Sequence, residues 1–140
     1  MPSIRFYDGI NLTPALPLLV RGYHELLRDG LVQPLVNIFW DDQAFVAFDA
    51  LPQAIGVLSF AKPWAGAIDI RVGYVLPEFR RRGTYQTLWN SLVTHARDLK
   101  VRQINSGVHT ANMGMRATAQ AQDRQAVAVI FSYQVAGLPP

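Results

Sequence analysis

Apolar residues along this chain recur with two periods, and the places where the period changes divide it into elements. Ser3 to Tyr7 alternates well enough for a short opening strand. Then "NLTPALPLLVRGYHELLRDG" offers Thr13 as a cap and Pro14 at the first helical position. Leu16, Leu19, Val20, Tyr23, Leu26 and Leu27 follow at helical spacing, and Gly30 stands where a left-handed closing residue is wanted. A second short helix is predicted from Pro34 toward Trp40, because Leu35, Ile38 and Phe39 share a side.

Three apolar runs between residues 44 and 76, separated by the turn-forming "DALPQ" and "AKPWAG", predict a three-stranded antiparallel meander. In the third run, alternation puts Ile68, Ile70, Val72 and Tyr74 on one face and Ala67, Asp69, Arg71, Gly73 and Val75 on the other. Asp69 and Arg71 are thus expected as same-face neighbours. After Pro77 the period becomes 3.6, with Tyr85, Leu88, Trp89, Leu92, Ala96 and Leu99 in one stripe. "VRQINSGVH" reads as a fifth strand, Met113 to Gln122 as an alanine-rich helix and "AVAVIFSYQV" as a sixth strand. The expected fold class is α/β with a mixed sheet of about six strands and about four helices, in the order βααβββαβαβ. A helix between strands four and five permits that pair to run parallel.

Composition narrows the chemistry. The 140 residues have the length of one domain over 1–140, and 50% hydrophobic content supports a core. A formal charge of +3 is too mild to argue a nucleic-acid partner, but it is compatible with an anionic ligand at one local site. No apolar run has the length of a membrane span and the first ten residues lack a signal-peptide core, so a soluble, cytoplasmic protein with no membrane partner is expected. The absence of cysteine excludes disulfides and thiolate catalysis, and three scattered histidines show no metal-ligand spacing.

The densest signal is "PEFRRRGTYQTLW" at 77 to 89, where a strand ends, a glycine turn follows and a helix begins. Unpaired N–H groups and the helix dipole make such a start an anion site. Gly83 admits close backbone approach, and Arg80, Arg81 and Arg82 add charged donors. Taken alone, a solvated basic loop explains the stretch equally well.

These residues resemble the signature of the GCN5-related N-acetyltransferase (GNAT) superfamily: Gln or Arg, two residues, Gly, one residue, then Gly or Ala. Here it reads from Arg80 through Gly83 to Tyr85, preceded by the Val75-Leu76-Pro77 step. The resemblance implies strands four and five splayed apart, with acetyl-CoA as cosubstrate. Its pyrophosphate would lie on the N–H groups from Arg81 to Tyr85, including Gly83 and Thr84, and its pantetheine beside Gly73, Tyr74 and Val75. Asn112, a natural helix cap, would also contact the cofactor. Three departures stand out: Tyr85 ends the signature, Ala119 occupies the place of the family's tyrosine acid, and the chain ends soon after its sixth strand. A homodimer covering that last strand edge is one consequence.

For the chemistry, Asp69 is the leading proton acceptor, because its spacing from Arg80 resembles that of the family's glutamate base; the alternative is a simple pair with Arg71. Glu78 ranks below it. Tyr74, His109 and Tyr133 are the candidate proton donors, each equally readable as a packing residue. Trp40, Asp41 and Asp42 lie where the family builds an acceptor wall, suited to a cationic amine on a small molecule or protein. The expected activity is direct acetyl transfer from acetyl-CoA to a primary amine. A CoA-binding module without turnover and a nucleic-acid binder acting through Arg80 to Arg82 and Arg97 are the alternatives.

Overall fold

A computed structural model of the chain describes residues 2–132 and 135–137 and divides it into two compact units, Met1–His109 and Thr110–Pro140. In the first unit, strands β1 (Ser3–Tyr7), β2 (Gln43–Phe48), β3 (Ala54–Phe60), β4 (Ala67–Val75) and β5 (Gln103–Asn105) form one sheet in sequence order. All neighbours are antiparallel except β4 and β5, which are parallel. Helix α1 (Ala15–Arg28) packs on one face of this sheet and α2 (Thr84–Asp98) on the other.

Close contacts at glycines fix both helices. A Cβ on Gly22 of α1 would sit 2.9 Å from Cβ of Tyr74, so only glycine lets this helix seat directly over β4. For that reason the buried side of α1 is Ala15, Leu18, Leu19 and Gly22, whereas Val20 and Leu27 of the predicted stripe face solvent. Thr13 does cap the helix start, its Oγ1 accepting from Ala15 N–H at 3.2 Å. On the opposite face, α2 buries Thr84, Leu88, Leu92 and Ala96, one residue per turn and close to the predicted stripe.

The predicted faces of β4 do not survive the pairing. Ser59 lies opposite Val72, but Phe60 lies opposite Ile70, so Arg71 is an extra residue that β3 does not match. Paired residues share a face. Ile70 therefore projects with Phe60 and Gly73 toward α2, while Val72 and Tyr74 project toward α1. The buried Ser59 hydroxyl stabilises this bulge, with Oγ accepting from Val72 N–H at 3.1 Å and donating to its carbonyl at 3.4 Å.

Residues 34–40 are not helical. Side-chain acceptors take N–H groups that such a helix would bond internally: Asn37 Oδ1 accepts from Ile38 (2.8 Å) and Asp42 Oδ2 from Phe39 (3.4 Å). In the second unit, α3 (Met113–Ala121) forms as expected, but residues 126–132 and 135 of the predicted sixth strand carry no strand. Tyr133 and Gln134 lie outside the described residues. Val127, Val129 and Phe131 are exposed, and an alternating segment becomes a strand only where a neighbouring edge accepts its backbone.

Beneath α2, His95 sits in an aromatic box, its ring 5.0 Å from that of Phe6 and 5.6 Å from those of Phe45 and Phe60. Its Nε2 is buried without a hydrogen-bond partner among the described residues, and burial pushes its pKa down against a smaller opposing effect of Asp98. Because the unfolded chain keeps the ordinary histidine pKa near 6.5, it takes up a proton that the native state refuses. The His95 contribution is thus fully present above about pH 6.5 and is lost as pH falls through the depressed native value. Urea titrations across this range should show wild-type stability declining more steeply with acid than that of His95→Phe.

Candidate functional site

Strand β4 ends at Val75, a short 3-10 turn follows at Pro77–Phe79, and the chain reaches α2 through Arg80 to Gly83. Arg81 (φ 63°) and Gly83 (φ 79°) are both left-handed, while Arg80 before them is extended (φ −73°, ψ 161°). Among the described residues no protein acceptor lies on the N–H of Arg81, Arg82, Gly83 or Thr84. The Gly83 carbonyl starts the helix by accepting from the N–H and Oγ1 of Thr87, both at 3.0 Å. A Cβ on Gly83 would have no heavy atom within 4 Å beyond its chain neighbours, so the turn is open there.

The three arginines divide their roles. Arg80 Nε donates to the Val75 carbonyl (2.8 Å), its Nη2 donates to Glu25 of α1 (2.9 Å), and its guanidinium lies over the Tyr74 ring at 5.3 Å. It thus points back into the fold, contrary to its expected place as a free charge at the turn. Arg82 leans over Phe79 at 5.4 Å, and Arg81 and Arg82 are both exposed beside the open N–H groups.

Beside the turn, the sheet opens. The β4–β5 ladder consists of Ala67 with Gln103, Ile68 with Ile104 and Asp69 with Asn105, and stops there. Further along β4, Val72 bonds to Ser59 of β3 and Leu76 N–H donates to the Ile55 carbonyl, so the intervening Gly73 and Val75 direct their backbone groups to the opposite edge, where no described strand pairs with them. Tyr74 is the exception among the three expected backbone contacts: its main chain faces β3 and its side chain α1. Tyr85, the departure from the glycine or alanine of the signature, covers Gly73; a Cβ on Gly73 would lie 2.7 Å from Tyr85 Cε2. The tyrosine turns inward, and Gly73 is what makes room for it.

At the last rung, exposed Asp69 accepts from Asn105 Nδ2 at 3.2 Å. The expected Asp69–Arg71 neighbourhood is replaced by another, because the bulge at Arg71 sends its guanidinium to Asp42 (3.5 Å) and over Phe39 (4.9 Å). Asp42 is buried, and desolvation raises its pKa more than Arg71 lowers it. It is therefore committed to the fold, whereas Asp41 and Trp40 are exposed. Asp41 and Asp42 join Phe39, Ala61, Lys62 and Arg71 around an open groove of about 330 Å³ that does not include Trp40. Burial, followed by the nearby Glu25 carboxylate, holds the Tyr74 phenol above its usual range.

His109 lies half-buried beyond β5, where Gln33 Nε2 anchors the loop by donating to the Gly107 carbonyl at 3.1 Å. In the second unit, Asn112 caps α3 by accepting from Met115 N–H at 3.1 Å, and Ala119 lies within that helix. Tyr133 is outside the described residues. Sequence reasoning missed Glu25 and Asn105: neither belongs to a motif, and each meets its partner only through the sheet. Among the described residues no cluster of His, Asp or Glu could hold a metal ion, and no helix is long and apolar enough to cross a membrane.

The structure of aminoglycoside N-acetyltransferase AAC(6')-Iy in complex with CoA superposes with a TM-score of 0.70 at 18% identity, covering 97% of this chain and 95% of its own. An aminoglycoside acetyltransferase, HMB0005, from an uncultured soil metagenomic sample gives 0.71 at 16% identity over 97% and 99%. The BH1408 protein of Bacillus halodurans, as a tetramutant, gives 0.74 at 10% identity over 95% and 99%. Identities this low speak for the fold alone, which is GNAT-like, with β4 and β5 parallel. No curated protein sequence matches the chain. The model of the acetyltransferase (GNAT) family does match it, over residues 16–122, and with three-quarters of its length covered in this way the chain belongs to that family.

Proposed function

We propose that residues 1–140 act as one N-acetyltransferase domain moving acetyl from acetyl-CoA directly to a primary amine. One observation carries the reading: among the described residues, open N–H groups at the start of α2 adjoin a stretch of β4 edge that no strand occupies. A diphosphate suits the first, since N–H groups, the helix dipole, Arg81 and Arg82 all favour negative charge there. An extended chain carrying amides suits the second, where the Gly73 backbone pairs with pantetheine as a strand would and Val75 lies beside its thioester end. The Val75 N–H then serves as donor to the thioester oxygen as it becomes an oxyanion.

The amine must be neutral to attack. Asp69, exposed where the ladder opens, accepts its proton directly or through water. CoA leaves as a thiolate with an ordinary thiol pKa of about 8.5, so no acid is obligatory; Tyr74 or His109 supplies a proton where one helps. The acceptor lies over the groove beside Asp41, with Trp40 as an outlying apolar contact.

Titration calorimetry and thermal melting with acetyl-CoA and desulfo-CoA provide the test. Ligand at 100 times its Kd should add about 2.7 kcal/mol to apparent stability. Thiol release with a panel of primary amines should follow. Absence of any melting shift with saturating ligand would refute the proposal, while binding without turnover would favour the regulatory-module reading that Ala119 suggests.

A further inference from the structure

The geometry points to Arg80 and Glu25 as a latch that sets the cofactor-facing edge of β4, which makes Glu25 a positioning residue for acyl-CoA binding and removes Arg80 from the phosphate contacts. This inference rests on the acetyl-CoA reading above. Arg80 uses two sides of its guanidinium at once, Nε on the Val75 carbonyl at 2.8 Å and Nη2 on Glu25 Oε1 at 2.9 Å. A planar fork with fixed donors can make both bonds, whereas a lysine ammonium on a flexible stem cannot reproduce them. The Tyr74 ring under the guanidinium closes the third side.

Three elements meet in this contact: α1 through Glu25, the end of β4 through Val75, and the turn through Arg80 itself. The Val75 carbonyl faces the edge of β4 that no strand among the described residues pairs, so it needs a donor, and Arg80 provides it. With that carbonyl held, the orientation of the same peptide edge, including the Val75 N–H and Gly73, is held as well. The turn is tied at its first residue, immediately before left-handed Arg81. The Glu25 and Arg80 side chains are 24% and 42% exposed, and an ion pair so placed adds little to global stability. Its effect should therefore appear in ligand binding.

A phosphate-contact role and a latch role predict opposite signs for one substitution. Were Arg80 a phosphate ligand held back by Glu25, Glu25→Ala would free a cation and tighten CoA binding. As a latch, the same change should raise the Kd for CoA about tenfold, the scale of one charge-assisted hydrogen bond. Arg80→Lys should do the same, and Glu25→Gln, which keeps a carbonyl acceptor, should recover most of the loss. In turnover, kcat/KM for acetyl-CoA and for S-acetylpantetheine, which has no diphosphate, should fall by the same factor in Arg80→Lys.

The measurements are calorimetry with CoA, kinetics with both thioesters and a melting curve for each full-length variant. Unchanged or tighter CoA binding in folded Glu25→Ala overturns the latch alone, as does a loss in Arg80→Lys confined to acetyl-CoA. Should Glu25→Ala fail to fold, Glu25→Gln and Arg80→Lys decide by the same comparison of thioesters. A wild-type protein that binds no CoA overturns the acetyl-CoA reading, and the latch with it.

Discussion

Gly83→Asp is expected to raise the Kd for acetyl-CoA by about a hundredfold or more while leaving the ligand-free protein folded. Gly83 has φ 79° and ψ 8°, a left-handed conformation that aspartate and asparagine tolerate better than other side chains, and a Cβ there would meet no heavy atom within 4 Å beyond its chain neighbours. Its carboxylate would stand at the start of α2, where the helix dipole favours negative charge, so the apo protein loses little. A diphosphate on the same N–H groups would instead meet a like charge about 5 Å away. At an effective dielectric of about 20 that costs roughly 3 kcal/mol, two orders of magnitude in affinity. Gly83→Asn has nearly the same shape without the charge and should bind far more tightly than Gly83→Asp. Equal affinities of the two variants in calorimetry would mean that no anion rests on the turn.

Phe60→Ala should cost about 3–5 kcal/mol in urea unfolding, a large fraction of the 5–15 kcal/mol that holds a typical domain together. Phe60 is completely buried and its ring packs 5.6 Å from those of Phe45 and His95. It also stands opposite Ile70 at the bulge, so its removal leaves a cavity where β4 changes face. A loss below about 1.5 kcal/mol would show that the box collapses around the vacancy and that the bulge does not depend on this ring.

The sheet's five strands and the stripe of α2 were legible because alternation and 3.6 periodicity are local properties of the chain. The turn was legible for a related reason: a strand end, a glycine and a helix start lie within thirteen consecutive residues. What misled the pattern was also specific. Ile68 and Ile70 alternate in phase with Val72 and Tyr74, yet the unmatched Arg71 places the two pairs on opposite faces. Nothing in β4 itself announces that shift, since a bulge is defined by the partner strand and here by the Ser59 hydroxyl that holds it. Likewise, the apolar character of Leu35, Ile38 and Phe39 suggests a helix, but side-chain acceptors on Asn37 and Asp42 compete for the backbone at shorter range than hydrophobic spacing can register.

By itself the sequence determined the class of fold and the place of the arginine-glycine turn, because both arise from runs of neighbouring residues whose propensities add. Tertiary structure decided which arginines stay exposed at the turn, which carboxylates remain available and how the β4 edge is presented. Arg80 meets a glutamate 55 positions earlier, Asp69 meets an asparagine 36 positions later, and Arg71 turns to buried Asp42. Such pairs form only after helix packing and strand registry have brought distant residues within hydrogen-bonding distance, and no periodicity in the chain encodes them.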